Sequence, residues 1–422
     1  MLSQKDNDYL CRVGPGTPMG ALLRRYWTPI TRSVDAPEPD GPPVRARVFG
    51  ENFVVFRDTN GRVGVLDELC MHRGASLAVG RVEGCGIRCL YHGWKFAADG
   101  TIMETPNQPD SRFKEKLRAP AYPVREAGGL IWVYLGPPDK EPEFPNYSWM
   151  AERPAGETRR PPTRVGYRHN WIQGLEGVVD SSHVGILHQS EVQDAKDGDY
   201  ENVRIIQDKF PTADDSPTIE VRDTDFGFHY AAIRQAETAA DERYVRVTAF
   251  MLPFTASIPP GNSMLIWVPI DDYHTVQYGA GDGTPLDEET ERNVLRWLGL
   301  DQNVFDEDGY FIVPEQDRAA MSAGRSFSGY QGLITQDAVM TTSMGPMFDR
   351  STEHVVPADA AVLRMRRLLI RAARTVAEGG DPIGLDRHVS TEKISGSAGV
   401  IHEGGDWKDL VPGHVELTGG RR

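Results

Sequence analysis

Long apolar runs are absent from this 422-residue chain. Nothing in it approaches the roughly 20 consecutive apolar residues that a membrane helix needs, so no membrane partner is expected. The opening Met-Leu-Ser-Gln-Lys-Asp-Asn-Asp lacks the basic and apolar regions of a secretory signal, and the expected location is the cytoplasm. Cysteine is scarce: four residues suggest no disulfide framework, as suits a reducing compartment. No Gly-x-Gly-x-x-Gly fingerprint for a dinucleotide occurs, and no internal repeat. Cationic charge is in deficit, with 46 Lys and Arg against 61 Asp and Glu and a net charge of −15. The phosphate backbone of a nucleic acid would be repelled. An anionic ligand would have to be drawn by a local basic pocket, not by the overall field. The length suits about two domains of ~100–200 residues each.

The few cysteines are concentrated. Cys70-Met71-His72 is followed, sixteen residues later, by Cys89-Leu90-Tyr91-His92-Gly93-Trp94. Each short arm offers one thiolate and one imidazole. That suits a [2Fe–2S] cluster with two Cys on one iron and two His on the other. Gly74, Gly80, Gly84 and Gly86 let the backbone turn tightly and bring N–H groups towards sulfur. Tetrahedral zinc is the competing reading of Cys₂His₂, although zinc fingers usually keep both Cys in one arm. Cys11 and Cys85 lack a His at either spacing and read as plain thiols.

The pattern around these arms is that of strands. Residues 9–32 read as a turn and a short amphipathic helix, and 36–43 as a linker. Val44–Gly50, Asn52–Asp58 and Arg62–Asp67 alternate apolar and polar residues, with Asn60-Gly61 as a hairpin signal. A second hairpin is expected at Asp99-Gly100, and 129–136 as a buried strand. The Pro/Glu-rich 137–162 marks a boundary. Beyond it we expect a helix over 170–188, strands at 202–207, 218–222, 227–235, 244–252 and 263–269, and helices over 287–298 and 358–377. The last carries its apolar residues on one face and a solvated Arg face on the other. The Gly-rich tail from 381 carries no reading.

A second chemically loaded stretch is Asp180-Ser181-Ser182-His183 … His188. Asp180 and His183 share one helical face, whereas His188 is turned away by about 140° at ~100° per residue. Both His reach one metal only if the helix bends or ends between them, which Gly185 permits. A carboxylate from elsewhere would complete the facial triad that leaves Fe(II) open to dioxygen. Alone, Asp-x-x-His-x-x-x-x-His does not separate a metal site from two ordinary histidines.

Taken together, Cys-x-His, Cys-x-x-His and Asp-x-x-His-x-x-x-x-His resemble the α subunits of Rieske non-heme iron aromatic-ring-hydroxylating oxygenases. The opening Arg-Val-Gly-Pro-Gly-Thr-Pro-Met-Gly, Arg-Arg-Tyr-Trp, Gln336-Asp337, Ser343-Met344-Gly345-Pro346 and Asp349-Arg350 are similar to the phthalate dioxygenase group. The resemblance implies an α+β chain: an N-terminal arm (1–40), an antiparallel β Rieske domain (41–150) and a helix-grip catalytic domain (151–422). It implies a [2Fe–2S] cluster on Cys70, His72, Cys89 and His92, and mononuclear Fe(II) on His183, His188 and a downstream Asp. Asp337 is the choice; Asp349, beside Arg350, is the runner-up and suits an ion pair better.

Asp180 becomes, by the same resemblance, a bridge between a Rieske His of one subunit and an iron-ligating His of the next. That implies a head-to-tail homotrimer, or stacked trimers forming a hexamer. Electrons from NAD(P)H are expected through a separate reductase. The expected reaction is O₂-dependent cis-dihydroxylation of a phthalate-like aromatic carboxylate; monooxygenation or O-demethylation of a substituted aromatic acid is the alternative. Such an anion needs buried cations, and Arg246 on an alternating strand is the first candidate. Lys209 and Arg204 follow, with Arg234 and Arg243 behind them.

Overall fold

The computed structural model describes residues 2–109, 112–197, 215–259, 263–385 and 389–411. The expected strand at 202–207, Arg204 and Lys209 lie outside these residues.

Helices α1 (Gln4–Cys11) and α2 (Pro18–Leu23) flank the Gly14-Pro15-Gly16 turn, and each is capped by a hydroxyl, of Ser3 and Thr17. Strand β1 (Thr28–Arg32) follows, and its burial explains why no alternation reveals it. Next come β2 (Val44–Val48), β3 (Glu51–Arg57) and β4 (Val63–Asp67), an antiparallel meander with the Asn60-Gly61 turn where expected. Four short strands make the second sheet: β5 (Arg81–Glu83), β6 (Gly86–Arg88), β7 (Lys95–Phe96) and β8 (Ile102–Glu104). Strands β9 (Val124–Ala127) and β10 (Leu130–Val133) form a hairpin, and β1 pairs with β10.

Two cores underlie this half. One, built from Val54, Phe56, Leu66, Leu77, Ile87 and Phe96, lies beneath the two cysteine arms. The other continues from α1, α2 and the β1–β10 pair into the remainder of the chain.

The larger half opens with β11 (Thr163–Tyr167), then α3 (Trp171–Val179), α4 (Val184–Leu187) and α5 (Gln189–Asp197). Strands β12 (Thr218–Asp223), β13 (Gly227–Gln235), β14 (Glu242–Met251), β15 (Thr255–Ile258), β16 (Ser263–Pro269) and β17 (Thr275–Ala280) follow. The helices α6 (Glu288–Leu298), α7 (Arg318–Ser322), α8 (Leu333–Ser343) and α9 (Ala360–Ala377) come next. Finally β18 (Ser397–His402) pairs with β14. Among the described residues the strands form one eight-stranded antiparallel sheet, ordered β11-β17-β16-β15-β14-β13-β12 with β18 beside β14. The architecture is α+β, as expected.

Helix α3 lies tight on this sheet. A Cβ at Gly174 would sit 2.0 Å from the Trp267 ring of β16, so only glycine permits the approach. Three expectations need correction. The helix over 170–188 is two pieces, α3 and α4, because Asp180 leaves helical geometry (φ −90°, ψ 120°) and ends α3. The break precedes His183, so Gly185 is not the hinge. Arg366 on α9 is buried, not solvated, because Glu176 and Glu353 neutralise it. Arg350 pairs with Glu176 and not with Asp349, whose carboxylate accepts from the Ser351 N–H.

Candidate metal centre and active site

The two cysteine arms are built alike. Cys70 O accepts from Gly74 N at 2.8 Å, and Cys89 O from Gly93 N at 3.0 Å. Both glycines are left-handed (φ 73°), so each arm folds back on itself and presents its sulfur and imidazole together. The sulfurs are buried, and Cys89 is within hydrogen-bonding reach of Cys70. Burial pushes the Cys70 thiol up to about 11, the neighbouring Cys89 adds to this, and the N–H groups of His72 and Arg73 oppose it. A cation shared between the two sulfurs would favour their thiolate form, which is what a cluster iron provides. The His72 and His92 rings are edge-to-face, with centroids 4.5 Å apart. His72 stacks on Trp94 at 4.6 Å and 2°. Two sulfurs and two imidazoles therefore meet at one end of the small β half, a donor set that fits a [2Fe–2S] cluster.

The second centre forms where the two ends of α4 meet the first half of α8. His183 begins α4, His188 ends it, and Asp337 lies in the first half of α8. One ligand atom from each lies within 4.8 Å of the others. Asp337 Oδ1 is 3.1 Å from His188 Nε2 and 3.5 Å from His183 Nε2. Asp349 is not part of this group.

Both imidazoles are oriented from behind. Gln336 donates through Nε2 to Glu191 Oε1 (2.8 Å), Ser328 Oγ (3.0 Å) and Tyr330 O (2.9 Å). Its Oε1 must therefore face His188, and it accepts from Nδ1–H at 2.6 Å. Asp180 Oδ2 accepts in the same way from His183 Nδ1 at 3.2 Å. With both protons on Nδ1, both Nε2 lone pairs are free for a metal. Two imidazole nitrogens and one carboxylate oxygen are the donor set of a non-heme Fe(II) facial triad. Burial raises the Asp180 carboxyl, but His183 and the N–H and hydroxyl of Ser182 hold it below the ordinary carboxylate range.

Behind the centre is a clamp that sequence reasoning missed. Glu176, one turn before Asp180, receives Arg350 through two bonds (2.7 and 2.9 Å) and Arg366 through one (2.6 Å). Glu353 takes the rest of Arg366. Partners 174 and 190 residues away leave no local signal. Gln336 is visible in the sequence as part of a Gln-Asp pair, but its hold on His188 is not.

The triad opens on a cavity of about 590 Å³, lined also by Tyr230, Arg246, Thr248, Trp267, Gln277 and Met340. Arg246 reaches it from β14 and donates to Pro259 O at 3.0 Å. Arg234 is buried and gives an NH2 bond to Ser181 O at 2.6 Å, while Arg243 points away to Glu403. Neither lines the cavity.

Residues 26–123 match the Rieske [2Fe-2S] domain family, and residues 133–418 the LigXa C-terminal domain-like family. The phthalate 4,5-dioxygenase oxygenase subunit of Pseudomonas putida is 40% identical over 98% of this chain and 96% of its own. The 3-chlorobenzoate-3,4-dioxygenase oxygenase subunit of Comamonas testosteroni is 38% identical over 92% of each. A crystal structure of dicamba monooxygenase bound to dicamba shares the fold, with a TM-score of 0.59 at 16% identity over 84% of this chain and 99% of that one. The chain belongs to the Rieske non-heme iron oxygenase subunits, in the group of phthalate dioxygenase. It is thus an oxidoreductase of a family whose members carry a [2Fe–2S] cluster and a mononuclear iron. No helix among the described residues is long and apolar enough to cross a membrane.

Proposed function

We propose that this subunit cis-dihydroxylates a phthalate-like aromatic carboxylate, using O₂ and electrons delivered from NAD(P)H by a separate reductase. The observation that carries the reading is one cavity shared by the His183–His188–Asp337 group and the Arg246 guanidinium. A carboxylate on Arg246 would fix a ring over the metal, and a bidentate guanidinium pair adds orientation as well as attraction. Arg160, the other arginine lining the cavity, is engaged by Glu291 at 3.5 Å. The names of both relatives, a phthalate and a chlorobenzoate dioxygenase subunit, support an aromatic acid.

In this reading residues 41–150 carry the cluster, on Cys70, His72, Cys89 and His92, and 151–422 the iron, behind an arm of 1–40. When bound, the cluster supplies single electrons and the iron activates dioxygen. The chain's own residues position these groups. Gln336 and Asp180 fix the imidazole tautomers, Asp337 supplies the carboxylate, and Trp267 and Met340 keep the cavity wall apolar. Asp180 also serves between subunits, since in a head-to-tail trimer it reaches His92 of the partner subunit while holding its own His183. Lys209 and Arg204 stay further candidates for the substrate anion.

The test is turnover of phthalate-like acids under ¹⁸O₂ with product analysis. A diol with two labelled oxygens supports the reading; one labelled oxygen, or loss of an O-methyl group, favours the alternative. Arg246→Ala should raise KM for a carboxylated substrate far more than for a neutral analogue. Equal effects on both would reduce Arg246 to packing.

A further inference from the structure

The net charge of −15 is not spread evenly. Residues 41–140 carry fourteen Lys and Arg against eleven Asp and Glu, whereas the others carry 32 against 50. Within the positive part, Arg112, Lys114, Lys116 and Arg118 fall in seven residues of which only Glu115 is acidic. Arg88 and Lys95 nearby are neutralised by Glu83 and Glu104. Arg118 reaches Thr101 Oγ1 at 3.0 Å and Asp99 at 3.4 Å. Arg112, Lys114 and Lys116 have no ion-pair partner among the described residues.

This segment is attached to the cluster arms by stacked rings. Phe113 stacks on Trp94 (5.2 Å, 25°), Trp94 stacks on His72 (4.6 Å, 2°), and Trp94 is held by Asn107 Oδ1 at 2.8 Å. The other imidazole looks elsewhere. His92 packs on Tyr91, and the surface there is exposed Leu90 and Tyr91 with Arg73 over the Tyr91 ring. The two histidines of one cluster thus face two chemically different surfaces, one cationic and one largely apolar.

We propose that the Arg112–Arg118 segment is the docking site for an acidic [2Fe–2S] ferredoxin-type domain, which delivers electrons on the His72 side. The proposal rests on the reading that a separate reductase feeds this subunit, and it leaves the His92 side for the partner subunit. At each encounter one electron leaves the reduced carrier and enters the cluster, and no bond or proton changes at the segment. Such a cluster of cations steers an acidic partner to the place from which the rings lead inwards.

The test uses the full-length protein with R112E/K114E/K116E. A control of equal charge change on the catalytic half, R292E/R296E/K393E, accompanies it. The probe is oxidised, acidic plant-type [2Fe–2S] ferredoxin, whose potential lies below the Rieske range. Its affinity is measured by calorimetry at low and moderate salt. We expect the segment variant to lose about tenfold or more in affinity, together with most of the salt dependence, while the control keeps both. The rate at which reduced ferredoxin bleaches the visible spectrum should fall in parallel.

Wild-type affinity in the segment variant, equal losses in both variants, or a wild type that does not bind the ferredoxin would overturn the proposal. So would a change of oligomeric mass with ferredoxin affinity intact, which would assign the segment to a second copy of the chain. A wild type without a Rieske spectrum would instead overturn the proposed function, since ferredoxin binding is read independently of it.

Discussion

The two candidate metal-binding groups of this chain are made from similar donors and held in opposite ways. The cysteine arms are loops at one end of a small β half, and their imidazoles are half-exposed beside exposed Leu69, Leu90 and Tyr91. Among the described residues neither His72 nor His92 makes a hydrogen bond through its ring. The His183–His188–Asp337 group stands on the two ends of α4 and the first half of α8 and lines a cavity, and each imidazole is fixed from behind by Asp180 or Gln336. One pair is left reachable, as suits groups that exchange electrons with partners. The other lines a cavity and is preorganised by hydrogen bonds, as suits a site that must position its reactants.

The sharpest way to break this comparison is to remove one ligand from each group. Cys89→Ser should abolish the visible cluster spectrum, and His188→Ala should remove the mononuclear iron while leaving that spectrum intact. Loss of both signals in His188→Ala would mean that the sites are not separate. Asp180→Asn should keep all the iron yet stall electron transfer to the active site in single-turnover measurements; normal turnover would remove Asp180 as a bridge.

The next effect concerns the clamp behind the His183–His188–Asp337 group. Burial raises the Glu176 carboxyl, but Arg350 and Arg366 hold it below the ordinary range. A carboxyl depressed in the folded state contributes stability that is present above its unfolded pKa and lost as pH falls through the folded one. Glu176→Gln leaves two buried guanidiniums short of a carboxylate and should cost about 3–5 kcal/mol in urea unfolding at pH 7. The difference from wild type should shrink as the solution is acidified below the ordinary carboxylate range. A constant difference would mean that packing, and not charge, is what Glu176 supplies. The smallest effect is expected at Gln336→Leu, which removes the acceptor behind His188. Iron affinity should fall about 10–100-fold with the fold unchanged by circular dichroism. Unchanged affinity would leave Gln336 as a core residue only.

The same contrast governs what can be read in the sequence. The cysteine arms are legible because each is a contiguous motif of three or four residues on a turn, with hairpin signals around it. His183 and His188 are legible as a pair, but the broken helix that aims them is not, because Asp180 leaves helical geometry under tertiary constraint. Helix α8, the source of Asp337, does not return its apolar residues on one face, since Thr335, Gln336 and Thr341 are buried too. Strand β18 is hidden in a Gly-rich tail because its order comes from pairing with β14, some 150 residues earlier. Arg366 reads as a solvated charge because nothing local reveals Glu176. Local chemistry is readable; long-range neutralisation and pairing are not.

The central claim, two separate metal sites in one chain, is tested most directly by iron and acid-labile sulfide analysis on anaerobically purified protein, alongside its visible spectrum. About three irons and two sulfides per chain in a red-brown protein are expected. Zinc with no sulfide, in a colourless sample, would contradict the account.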